Sequence, residues 1–172
     1  MDDPEPKPLA TAALPDEAAT TSIAQAVAEL LRPGDVVGLS GPLGIGKSVF
    51  ARAVVRALDD EAGEVPSPTF TLVQLYEVRH GPAAGTPLFH FDAYRLERPE
   101  DAWELGIEEA FATGISLVEW PQRLGPLLPP TALSVTLSAG GTTGGRRISL
   151  DGSAAWSARL SSLAGWTADV SA

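Results

Sequence analysis

The chain contains no cysteine. That excludes a disulfide scaffold, a thiolate zinc or iron–sulfur site and a cysteine nucleophile. Two histidines are too few for a His-rich metal centre. Basic residues are also scarce, twelve against twenty-two acids, for a net charge of −10. Tight binding to nucleic acid needs clustered Lys and Arg on the phosphates, so neither nucleic acid nor an anionic membrane is expected as a direct ligand. No apolar run approaches the roughly 20 residues of a membrane helix, and the first residues, MDDPEPKPLA, lack the basic start and apolar stretch of a secretory signal. What remains is a composition of 44% hydrophobic and 20% charged residues over 172 positions. It predicts one soluble, intracellular, cytoplasmic domain with a core of its own.

Residues 1–15 carry four prolines and no periodic pattern, and read as a flexible tail. Residues 16–150 read as the folded domain, and residues 151–172 as a helical extension packed on it. Ile23, Val27, Leu30 and Leu31 recur at helical spacing behind Asp16, a plausible N-cap. Val36 to Leu39 is a buried-type strand. Phe50 to Leu58 is helical in pattern. Thr69 to Val78 and Leu88 to Phe91 read as an antiparallel hairpin. The acid-rich stretch 97–112 reads as short helices with a solvated face, Ile115 to Glu119 as another buried strand, and Leu133–Leu137 with Arg147–Leu150 as a second hairpin. Trp156, Leu160 and Leu163 fit a short last helix. The fold class is α/β: a phosphate-loop-type sheet flanked by helices, with antiparallel hairpins added.

Gly41-Pro42-Leu43-Gly44-Ile45-Gly46-Lys47-Ser48 matches G-x-x-x-x-G-K-[ST] between an apolar strand and a helix. The glycines let backbone N–H groups turn inward onto phosphate oxygens, and the helix adds its positive end. Lys47 would reach the outer phosphates and the Ser48 hydroxyl would ligate Mg²⁺. Lys47 is one of only two lysines in the chain. Glu119 ends an apolar strand, where an acid either meets the same Mg²⁺, directly or through water, or simply closes the strand as a solvated carboxylate. His90, Asp92 and Tyr94 share one face at period two. Asp92 either polarises an attacking water, binds Mg²⁺ through water, or caps a turn and pairs with Arg95; His90 reads as structural. Ser67-Pro68-Thr69-Phe70-Thr71 is either a switch that senses the outer phosphate or an ordinary entry to a strand. Trp120 is open between packing, ligand stacking and a partner contact.

Taken in order, GPLGIGKS, VPSPTFTLVQLY, HFDAYRL, ELGIEE and LVEWP resemble the bacterial TsaE (YjeE) family of tRNA threonylcarbamoyladenosine biosynthesis ATPases, over about Thr20 to Pro130. The resemblance implies an ATP- and Mg²⁺-dependent ATPase that works with the TsaD and TsaB proteins and reaches tRNA only through that complex. It implies catalytic roles for Asp92, Lys47 and Glu119, with Ser48 and Glu119 on the metal. It implies a nucleotide-binding set of Thr20, Gly41, Gly44, Ile45, Gly46, Lys47, Ser48, Val49, Thr69 and Thr71. Pro42 stands where the family often has Asp and removes one backbone N–H; Ser48 stands where Thr is common and keeps the hydroxyl. Arg146 or Arg147 lies within possible reach of the nucleotide. The alternative on the same loop is a stand-alone small-molecule or nucleoside kinase. It would need a cationic lid, and the stretch where a lid would sit is acidic.

Overall fold

A computed structural model describes residues 7–141 and 144–163. Seven strands form one sheet: β1 (Ala10–Leu14), β2 (Val36–Ser40), β3 (Val73–Glu77), β4 (Pro87–Asp92), β5 (Ile115–Glu119), β6 (Leu133–Ala139) and β7 (Arg146–Asp151), in the spatial order β1-β7-β6-β2-β5-β4-β3. The four central strands β6, β2, β5 and β4 run parallel. The outer pairs β3–β4, β6–β7 and β1–β7 are antiparallel. All four parallel strands therefore end along one edge, at Ala139, Ser40, Glu119 and Asp92. The carboxyl edge of such a sheet is where open α/β folds place ligands.

Central strands buried on both faces are apolar throughout, and β5 is buried at every position. Helices α1 (Glu17–Ala28), α2 (Lys47–Leu58) and α4 (Ala154–Leu160) cover one face. There Val27, Phe50, Val54 and Trp156 pack with Val37, Leu39, Leu117 and Val135. The other face carries α3 (Ile107–Thr113) and two 3-10 segments, Pro99–Leu105 and Pro121–Leu127. Val36, Phe91 and Val118 pack there with Ile107, Ala110 and Leu124. Asp16 caps α1, accepting the Ala19 N–H at 2.9 Å, as its sequence position predicts. No helix among the described residues is long and apolar enough to cross a membrane.

Two expectations are corrected. Residues 10–14 are not tail: β1 pairs with β7 from Ala10↔Leu150 to Leu14↔Arg146, and Leu14 is buried. The physical reason is that β7 would otherwise be a bare sheet edge, and β1 supplies its missing hydrogen bonds. Of the tail reading, residues 1–6 lie outside the described residues. The strand expected from Thr69 starts only at Val73. Before it the chain turns, with the Leu72 N–H bonded to the Pro68 carbonyl at 2.7 Å and Leu72 at φ 65°. Asp92 in turn donates its N–H to the Leu72 carbonyl at 2.9 Å, so the turn is fixed from outside by β4.

Candidate active site

At the carboxyl edge, the loop between β2 and α2 curls tightly. Gly41 has φ 141°, and a Cβ there would lie 2.5 Å from the Leu137 carbonyl oxygen, so only glycine fits. Gly46, at φ 119°, is the N-cap of α2. The first turn of this helix carries no acid of its own, so no carboxylate within the turn offsets its positive end. Lys47 is only 5% exposed. Its Nζ donates to the carbonyls of Gly41 at 2.6 Å and Pro42 at 2.9 Å, and lies 4.1 Å from the centre of the Trp120 ring. Burial pulls the ammonium below the usual lysine value, against the opposing pull of Glu119 and Asp92.

The Ser48 hydroxyl donates to Glu119 Oε1 at 2.9 Å. Hydroxyl and carboxylate thus converge at the start of α2 and the end of β5. This small, hard, all-oxygen donor pair fits Mg²⁺, which takes one or two protein ligands and completes its shell with water and phosphate. Asp92 stands directly beside Glu119 in the β4–β5 register. Its Oδ1 accepts the Tyr94 N–H at 3.0 Å, while Oδ2 has only a long contact, 3.5 Å, from the Thr69 hydroxyl. Thr69 is held in turn by Ser67, with 2.9 Å between the two hydroxyl oxygens. Asp92 does cap a turn. Among the described residues it makes no ion pair with Arg95, whose guanidinium lies over the Phe70 ring.

A cavity of about 210 Å³ opens between these groups, lined by Leu43, Gly44, Gly46, Lys47, Ser48, Val49, Ser67, Thr69, Asp92, Glu119 and Trp120. Four chain segments far apart in sequence supply it. Of the residues expected at the site, Lys47, Ser48, Asp92, Glu119, Gly44, Gly46, Val49 and Thr69 meet here. Gly41 serves from behind, through its carbonyl. Ile45 packs at the rim of the main core, Thr71 accepts from Gln74, and Thr20 is buried in α1; none of the three lines the cavity.

Three contributors that the sequence leaves open take definite places here. Ser67 orients Thr69. Trp120, at φ 60° and ψ 52°, directs its ring over Lys47 and against Tyr94, 4.9 Å between centroids; the sequence leaves it open between packing, ligand stacking and a partner contact. Arg146 starts β7 beside the loop, its Cδ 4.0 Å from where a Gly46 side chain would begin.

The protein is thus a mixed α/β domain with a glycine loop, a lysine and two carboxylates gathered at the carboxyl edge of its parallel strands. The sequence profile described as Threonylcarbamoyl adenosine biosynthesis protein TsaE matches residues 14–148. Relatives described as tRNA threonylcarbamoyladenosine biosynthesis protein TsaE are 38% identical in Rickettsia conorii, over 73% of this chain and 69% of the relative, and 35% identical in Bacillus subtilis, over 71% and 73%. The crystal structure of Bacillus subtilis YdiB superposes with a TM-score of 0.71 at 27% identity, covering 89% of this chain and 92% of that one. The chain belongs to the TsaE family.

Proposed function

We propose that this protein is a Mg²⁺-dependent ATPase acting in tRNA threonylcarbamoyladenosine biosynthesis, in the cytoplasm and in complex with the TsaD and TsaB proteins. The observation that carries the reading is the convergence of Lys47, Ser48, Asp92 and Glu119 on one cavity at the mouth of the glycine loop, in a chain of the TsaE family.

In this reading the loop N–H groups and the start of α2 hold the phosphates, and Lys47 neutralises their outer charge. Trp120 and the two loop carbonyls keep the ammonium aimed before nucleotide arrives. Ser48 and Glu119 hold Mg²⁺, which when bound offsets phosphate charge that two carboxylates would otherwise repel. Asp92 is anchored through Oδ1 and presents Oδ2 to the cavity, the arrangement needed to align a water. Thr69, held by Ser67 and at long range from Asp92, senses the outer phosphate. Arg146 adds a second cation at the loop, supported by its position beside Gly46. The kinase alternative loses ground: Glu97, Glu100, Glu104, Glu108 and Glu109 are all exposed, so this stretch offers carboxylates where a lid would need cations.

The test is ATP hydrolysis by the purified chain alone and with TsaD and TsaB added. Lys47→Ala should abolish turnover in both settings while the protein stays folded, because a phosphate-binding point charge is lost. Parental turnover in a folded Lys47→Ala protein overturns the site.

A further inference from the structure

His90 sits on β4, two residues before Asp92 and on the same face of the sheet. Its side chain is 1% exposed. Its register partners are Gln74 on β3 and Leu117 on β5, with Leu88 two residues before it on its own strand. Among the described residues the imidazole makes one hydrogen bond: Nε2 lies 2.9 Å from Glu119 Oε2. Nδ1 is buried and has no partner among the described residues. A buried ring with half its polar capacity unmet is costly, and what that cost secures is a single contact with Glu119.

That contact completes a clamp. Ser48 takes Oε1 and His90 takes Oε2, so each carboxylate oxygen has its own donor from a different element. Lys47 lies close enough to feel the charges of both Glu119 and Asp92. Yet among the described residues no ion pair joins it to either. Its donors go to Gly41 and Pro42 instead. A glutamate with a free terminal torsion would swing toward the ammonium, because opposite charges attract strongly in a buried site. The two groups that must bind different parts of Mg·ATP would then cancel each other.

We infer that His90 is a positioning residue that holds Glu119 on Ser48 and off Lys47, keeping the metal end and the phosphate end of the site apart. This rests on the Mg·ATP reading above. Partners behind a metal ligand typically change metal affinity about 10–100-fold when removed.

Three variants test it: His90→Leu removes the donor, His90→Asn places its amide near the Nδ1 position, and His90→Gln reaches about as far as Nε2. The probe is Mn²⁺ with ADP, its half-saturation followed by electron paramagnetic resonance, with thermal melts and ADP affinity without metal measured alongside. His90→Leu and His90→Asn should raise the Mn²⁺ half-saturation about 10-fold and weaken metal-free ADP, since Glu119 then captures Lys47. His90→Gln should stay close to parental in both. Parental Mn²⁺ half-saturation in folded His90→Asn or His90→Leu overturns the inference. So does a loss in all three that follows melting temperature alone. Should His90→Leu fail to fold, the Asn–Gln contrast decides. Failure of the parental protein to bind Mn·ADP is a separate result: it removes the nucleotide reading and this inference with it.

Discussion

Asp92 and Glu119 end neighbouring parallel strands and face each other in the register, but their oxygens are committed differently. Both oxygens of Glu119 are taken by side-chain donors, Ser48 and His90. Asp92 gives one oxygen to a backbone N–H and leaves the other almost free. The two should therefore fail differently when changed. Glu119→Ala should raise the Mg²⁺ needed for half-maximal hydrolysis, and excess Mg²⁺ should restore part of the rate. Asp92→Ala should bind Mg·ATP nearly as the parent does and hydrolyse it about 100-fold more slowly, a typical loss for a positioned acid or base, without rescue by Mg²⁺. Mg²⁺ titrations of the rate, paired with nucleotide affinity, separate the two; parental turnover in Asp92→Ala removes its assigned part. Lys47, Ser48 and both acids were legible in the sequence, because loop spacing and the ends of apolar strands are local patterns. The His90–Glu119 bond was not, since it depends on the β4–β5 register across 29 residues.

Among the elements, central strands and both long helices follow from their patterns, because burial on both faces leaves continuous apolar runs and burial on one face leaves a helical stripe. Two segments did not. Ala10–Leu14 is alanine-rich and follows prolines, so its propensity for a strand is weak; pairing with β7 decides its state. Thr69–Leu72 has strand-like residues, but the Ser67–Thr69 contact and the bond from Asp92 hold it as a turn, which is what brings Thr69 to the cavity. β1 also gives a clean energetic test. Leu14 is 1% exposed, and Leu14→Ala should cost about 2–5 kcal/mol, as truncation in a packed core does, seen as a lower urea midpoint at unchanged slope. An unstructured segment would show no change.

At the scale of the molecule, charge sets what can approach. With a net charge of −10 and exposed carboxylates along 97–109, the surface repels a polyanion. The isolated chain should show no tRNA binding at micromolar concentration and physiological salt in a filter or fluorescence assay. Retention of tRNA should appear only once TsaD and TsaB are present. Micromolar binding by the chain alone contradicts the indirect route.

The pairing of β1 with β7 also imposes an order in time. β1 comes first among the strands and its partner β7 last, from Ala10↔Leu150 to Leu14↔Arg146, so this contact is among the most non-local in the fold and is expected to form late. Until then Ala10–Leu14 is an unpaired strand in a growing chain, the kind of segment that seeks wrong partners. Its sequence, ATAAL, is mild: three alanines and a threonine ahead of one leucine. The composition that hid β1 from a reading of the sequence is the composition that lets it wait.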